Sequence, residues 1–281
     1  FIMVGMGLKV AIFPLHLWLP NAYTYAPSAI TSFLAATATK VAIYVMLRFL
    51  FSVFQPGFLA EVPTLDLVLY PFAILAMFAA SYTAILQRDL KRMLAYSSIG
   101  QVGYMLLGIA LLSESGLMAT MIHLFNHGIT KAALFMGVGV YVLNGGGSFY
   151  HNLRGRGKTM PWTSAAMVVA GLSLIGVPGT AGFLSKWLLV EATLEQGLWP
   201  IALLIVASSL LAVIYVWKLI ETLYLAQPAE GLQDQNVPLM MMIPLWVMAL
   251  ACIYFGFDTD ITLSAARSAA EGLLAGSAGM R

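Results

Sequence analysis

Charge is what this chain has least of. Asp, Glu, Lys and Arg make up 9% of its 281 residues, against about 25% in a soluble domain. With hydrophobic residues at 60%, that deficit excludes a soluble globular fold and leaves a polytopic membrane protein. Cysteine is almost absent. The single Cys252 excludes an internal disulfide and says nothing about redox compartment; it lies in an apolar run and reads as a packing residue. The net charge of +2 comes without a basic stripe or a nucleic-acid motif, so no nucleic-acid partner is expected. There is no nucleophile elbow, nucleotide fingerprint or cysteine cluster, and Gly145-Gly-Gly147 is a loop because no Lys-Ser/Thr follows it. No catalytic residue and no cofactor is expected, since nothing here binds NADH, flavin or an iron–sulfur cluster by itself. The chain opens Phe1-Ile-Met-Val, with neither an initiator methionine nor a charged leader. It reads as starting partway through a membrane segment of a longer protein.

About twenty apolar residues span a bilayer core. That ruler predicts an all-α transmembrane bundle of about eight spans, near 1–19, 28–54, 64–87, 93–112, 116–143, 161–193, 199–225 and 237–257. Residues 1–257 then form a membrane transporter domain, incomplete at its N-terminal side, and 258–281 a short tail. Polar turns are expected at Asn21–Pro27, Gln55–Pro63, Arg88–Arg92, Ser113–Ser115, Asn144–Lys158 and Ala226–Asn236. Arg88, Lys91 and Arg92 mark one loop and Arg154, Arg156 and Lys158 another, an even number of spans apart. The opposite loops hold Glu61, Glu114 and Glu195. By the positive-inside rule the basic face is cytoplasmic, or its organellar equivalent, with 21–27 on the same side and the tail outside. Trp18, Trp162 and Trp199 fall where an aromatic belt is expected.

Four lysines, Lys9, Lys40, Lys131 and Lys186, lie inside these apolar stretches. Each costs roughly 2.5 to 3.5 kcal/mol at the bilayer centre, so they are expected to face protein or water and to mark an ion or proton path. Lys40 sits near the midplane of its span, with Ser32, Thr37, Thr39 and Tyr44 as further polar positions. Two spans carry breakers: Pro14 follows Lys9, and Gly176-Val-Pro178-Gly179 precedes Lys186. Proline and glycine free backbone groups, which membrane depth tolerates only where protein or a water-filled cavity receives them. Such breaks beside lysines, five spans apart, look like matching positions of an inverted repeat. A simple kink at each is the plainer alternative, as is an ion pair between Lys186 and Glu191. Lys218 and Glu221 read as an interfacial pair.

The fifth span holds His123, His127 and Lys131 at i, i+4 and i+8, stacked along one face over roughly 12 Å. With Asn126 and Thr130 adjacent they form a polar stripe suited to proton transfer. A metal site lacks the nearby Asp, Glu or Cys needed to complete four ligands, so none is expected.

Gly7-Leu-Lys9-Val-Ala-Ile-Phe-Pro14-Leu-His16-Leu-Trp18-Leu-Pro20-Asn-Ala22, Ala26-Pro27-Ser28, Lys40-Val-Ala-Ile-Tyr44 with Arg48, and Arg88-Asp-Leu-Lys91-Arg92 through Tyr96-Ser-Ser98, Gly100, Gly103 and Tyr104 recur in order. With the His123, His127 and Lys131 stripe and Gly176-Val-Pro178-Gly179-Thr-Ala-Gly182-Phe-Leu-Ser-Lys186, the chain resembles the antiporter-like membrane subunits shared by respiratory complex I and Mrp-type cation/proton antiporters. The resemblance covers residues 5 to about 225. It implies a fourteen-helix inverted-repeat fold, of which this chain holds helices seven to fourteen with two broken helices. It also implies a proton relay through Lys9, Lys40, His123, His127, Lys131 and Lys186, with helix breaks at Pro14, Pro178 and Gly179. The family's fifth-helix glutamate, partner of the lysine matched by Lys9, has no counterpart here. The function that the resemblance implies is that of a proton-translocating subunit with no redox site of its own, in a complex I-like or Mrp-type assembly in a bacterial inner membrane. Its expected partners are other membrane subunits, the lipid bilayer and protons, with sodium added in the Mrp case, towards which Phe183-Leu-Ser-Lys-Trp187 leans. A non-conducting scaffold subunit is the alternative.

Overall fold

The computed structural model describes residues 1–54, 64–145, 147–227 and 237–275. The predicted turns at Gln55–Pro63 and most of Ala226–Asn236, with Glu61 and Gly146, lie outside these residues. The helices are α1 (Ile2–Val10), α2 (Trp18–Tyr25), α3 (Ser28–Arg48), α4 (Thr64–Leu86), α5 (Leu90–Ala110), α6 (Glu114–Leu143), α7 (Pro161–Ile175), α8 (Ala181–Glu195), α9 (Trp199–Ile220), α10 (Leu239–Phe257) and α11 (Asp260–Ala275). Single π turns prolong α3 over Phe49–Val53 and α9 over Glu221–Leu225, and two short turns, Tyr150–Leu153 and Arg156–Thr159, join α6 to α7. Among the described residues there is no strand, only an isolated bridge between Asp89 and Phe149.

Five segments, Ser28–Val53, Val68–Leu86, Leu90–Ala110, Trp199–Leu225 and Leu239–Phe257, are by themselves long and apolar enough to cross a membrane. The other three predicted spans depart from that pattern for physical reasons. α6 has 30 residues but carries the histidine and lysine stripe. The first and sixth spans are broken, as α1 with α2 and α7 with α8. The protein is therefore an all-α, multi-pass integral membrane bundle.

α6 is its hub, packing against α3, α5, α7, α8, α10 and α11. α5 is buried along its whole length, so it meets helices on every side and can carry polar residues that a lipid-facing helix cannot. Small residues allow this crowding. A Cβ on Gly103 would lie 2.7 Å from the Ala73 carbonyl oxygen of α4, and one on Gly108 would lie 2.2 Å from Thr120 Oγ1 of α6.

The basic loops do meet on one face. Leu90 N–H donates to Ser148 O at 2.8 Å, Tyr150 N–H to Arg88 O at 3.1 Å and Gly155 N–H to Thr222 O at 3.0 Å. Lys91 Nζ reaches Ala26 O at 3.0 Å. On the opposite face Ser115 Oγ donates to Glu195 Oε2 at 2.6 Å and Gln196 Nε2 to Leu111 O at 2.8 Å.

Several local expectations change. Lys91 and Arg92 belong to the first turn of α5, because Asp89 caps that helix by accepting from Arg92 N–H at 2.9 Å. Residues 21–25, read as part of a turn, close α2. Lys218 does not pair with the exposed Glu221; it donates to the Ile85 and Gln87 carbonyls at 2.9 and 2.8 Å and lies 4.9 Å over the Tyr150 ring. Burial and the nearby Asp89 push the Tyr150 phenol up, so the ring under that ammonium stays neutral. The segment read as a short tail contains the amphipathic α11, which buries Ala266, Ala270 and Leu273 against α6 and the C-terminal end of α3.

Candidate functional site

The site is assembled where the second break meets α6. α7 stops at Gly176, whose φ of 90° only glycine adopts freely. Val177-Pro178-Gly179 follows, and α8 starts at Ala181. The two half-helices pass so closely that a Cβ on Gly182 would stand 1.8 Å from Ser173 O. Ending α7 early leaves its last carbonyls without intrahelical donors. Lys186 Nζ fills that role, donating to Leu174 O at 3.2 Å and Ile175 O at 2.7 Å. Glu191, the carboxylate considered for Lys186, is exposed.

The first break is built differently. α1 ends at Ala11 with φ 62°, and the Trp18 indole donates across the gap to Leu8 O at 2.8 Å. Trp18 therefore serves the break, and like Trp162 and Trp199 it is exposed at a helix start. Lys9 lies in the last turn of α1 and is exposed, away from the other lysines.

The α6 stripe faces inward as its spacing requires. His123, His127 and Lys131 are 5%, 3% and 0% exposed. His123 Nδ1 shares a hydrogen bond with Ser185 Oγ at 2.8 Å, and its ring is parallel to that of His127 with centroids 6.1 Å apart. Asn126 Nδ2 donates to Ala181 O at 2.6 Å, and Thr130 Oγ1 meets Ser173 Oγ at 3.0 Å, so α6 binds both halves of the break. Lys131 Nζ donates to Leu94 O at 2.7 Å and to Ser97 Oγ at 2.5 Å on α5. Lys40, also buried, donates to Ala35 O within α3. Its Cε lies 4.0 Å from the Cβ position of Gly128, the residue after His127. Tyr44 of the same helix is exposed, and Thr37 is half-buried.

Both ring nitrogens of His127, His123 Nε2 and Asn126 Oδ1 are buried and have no protein partner. They border a cavity of about 10 Å³ that Gln101 and Ser173 also line, which is room for about one water. Among the described residues the one buried carboxylate is Asp89, at the N-cap of α5, and no three His, Cys, Asp or Glu side chains gather as a metal site needs. The arrangement is a buried cluster of proton-exchanging amines and imidazoles separated by hydroxyls and carbonyls. It brings together Lys40, His123, His127, Lys131 and Lys186 and leaves out Lys9.

Several members of the cluster are not legible in the sequence. Ser185, Ser173 and Ser97 give no signal there because their partners lie on other helices. Tyr104, whose hydroxyl bonds Ser208 and Ser209 of α9, ends a sequence motif that carries no hint of partners about a hundred residues away. His16, in the first break, is buried with its ring stacked on Phe13 at 5.0 Å and edge-on to Tyr96 at 6.2 Å.

Comparison with known proteins agrees with this fold. The family described as NADH:quinone oxidoreductase/Mrp antiporter, transmembrane region, matches residues 1–212. NADH-quinone oxidoreductase subunit N of Desulforudis audaxviator (strain MP104C) is 38% identical over 277 residues, which cover 94% of this chain and 55% of that protein. A chain of the archaeal membrane-bound sulfane sulfur reductase, a respiratory membrane complex, superposes with a TM-score of 0.86 at 31% identity, over 99% of this chain and 56% of its own. A chain of the Mrp complex from Dietzia sp. DQ12-45-1b has a TM-score of 0.88 at 24% identity, over 97% and 58%, a likeness of fold. The chain thus spans about half the length of the relatives it matches. A match that runs through both helix breaks and all the buried lysines places this chain in the NADH:quinone oxidoreductase/Mrp antiporter membrane family.

Proposed function

We propose that this chain is a proton-translocating membrane subunit of a multisubunit complex, in which protons pass between Lys40, His127, His123, Lys131 and Lys186. The observation that supports it most is the burial of three lysines and two histidines together inside the helix bundle, with Asp89, the one buried carboxylate among the described residues, at the N-cap of α5. Fixed structural cations would be matched by anions, whereas groups that load and release protons need only transient stabilisation, which serine hydroxyls and free carbonyls provide. The 38% identity to a quinone oxidoreductase subunit N favours a complex I-like setting, and sodium exchange belongs to the Mrp alternative. A bacterial inner membrane is the proposed location, and neighbouring membrane subunits are the proposed partners. The exposure of Lys9 favours a second reading, a subunit that packs against conducting neighbours without conducting itself.

Proton flux in vesicles carrying the intact assembly decides between them. Lys40→Ala or Lys131→Ala is expected to remove most of the flux while the complex still assembles. Arginine at either site also fails, because it does not release its proton. Flux at the wild-type level in Lys40→Ala vesicles would overturn the relay and leave the scaffold.

A further inference from the structure

Tyr104 stands where α5, α8 and α9 meet, and it is 2% exposed. Its ring centroid lies 5.0 Å from Lys186 Nζ and 5.7 Å from the His123 ring. The far end of the side chain is anchored. Its hydroxyl donates to Ser208 Oγ at 3.0 Å and lies 3.3 Å from Ser209 Oγ, and Ser208 Oγ donates onward to Met77 O of α4 at 3.2 Å. Contacts with α9, and through Ser208 with α4, therefore hold the far end of the ring's long axis, which keeps the ring beside the ammonium.

Lys186 Nζ contacts two carbonyls and this π face. The quadrupole of a tyrosine ring attracts an ammonium and has no comparable attraction for a neutral amine, and the effect is largest where water is excluded. A contact that strengthens only one protonation state sets where that state gives way to the other. The same ring touches His123, whose partner Ser185 directly precedes Lys186 in α8, so it borders both groups between which the proposed transfer runs.

We infer that Tyr104 is a positioning residue for Lys186: it holds the ammonium over its ring and thereby sets the pH at which Lys186 hands its proton on. This rests on the reading of Lys186 as a relay member. The other titratable groups around the pair are His123 and His127 from α6, Lys40 from α3, Tyr215 from α9 and Cys252 from α10; α7 contributes carbonyls. None of these side chains is a carboxylate, so the ring is not duplicating an anion.

The test is the pH profile of proton flux in vesicles carrying the intact complex, for wild type, Tyr104→Phe, Tyr104→Leu and Lys186→Ala. Tyr104→Leu removes the π face, so the ammonium is favoured less and the limb of the profile moves to lower pH by about one unit. Tyr104→Phe keeps the ring and is expected to stay within about 0.3 units of wild type. Should Tyr104→Leu fail to assemble, Tyr104→Met fills the space without a π face and carries the same expectation. A leucine or methionine profile that superimposes on wild type overturns the inference, as does a phenylalanine profile displaced as far as the leucine one. Wild-type flux in Lys186→Ala instead overturns the relay reading, and the inference with it.

Discussion

Lys131 is completely buried, and its ammonium is held by the Leu94 carbonyl and the Ser97 hydroxyl. A hydrogen bond to a charged group contributes about 1.5 to 3 kcal/mol, so Ser97→Ala changes the balance between charged and neutral Lys131 by about tenfold or more. Proton flux through the assembly is expected to fall by a similar factor with the amount of complex unchanged, which quantitative immunoblotting beside the flux assay would show. Full flux in Ser97→Ala would separate Lys131 from the path. Lys9 gives the contrasting expectation: because it stays exposed and outside the cluster, Lys9→Ala should leave the packing of the other lysines intact. A thermal denaturation midpoint within about 1 °C of wild type would agree with that, since exposed substitutions stay within about 0.5 kcal/mol.

The two breaks show what an element owes to a few positions. Gly182 lets α8 start against the end of α7, and a Cβ there would stand 1.8 Å from Ser173 O. Gly182→Val therefore forces the half-helices apart and withdraws the Leu174 and Ile175 carbonyls from Lys186. A loss of about 2 kcal/mol or more is expected, read as a lowered melting temperature or a missing complex on native gels; a stable Gly182→Val complex would mean that the break has room to spare. The N-cap of α5 is a milder case. Asp89 accepts from Arg92 N–H and from the Ser148 hydroxyl, joining the helix start to the segment between α6 and α7. Asp89→Ala is expected to cost about 1 to 2 kcal/mol, whereas Asp89→Asn, which retains an acceptor, should recover most of it in the same melting experiment.

At the scale of the molecule, the hydrogen bonds between the loops around 88–92 and 144–158, and those linking Ser115 with Glu195 and Leu111 with Gln196, give the bundle two distinct faces. Arg154 and Glu114 are exposed on opposite faces, and the native Cys252 is buried and so gives little background. With a membrane-impermeant maleimide on intact cells, Glu114→Cys is expected to react and Arg154→Cys to react only after permeabilisation. The reverse pattern would invert the orientation that the basic loops prescribe.

The sequence by itself determined the membrane class, nearly all the spans, the two breaks and the inward stripe of α6. Each of these rests on a local or periodic property: hydropathy over about twenty residues, the backbone limits of proline and glycine, or four-residue helical spacing. Composition could not separate a helix surrounded by protein from one that faces lipid, so α5 read as an ordinary span although it is buried throughout. Only the tertiary structure decided which polar groups meet. Ser97 with Lys131, Ser185 with His123 and Tyr104 with Lys186 are 34, 62 and 82 residues apart, and no local pattern encodes such pairs. Tertiary structure also separated Lys9 from the other lysines, because the sequence could place Lys9 beside a break but could not show whether any described helix covers it.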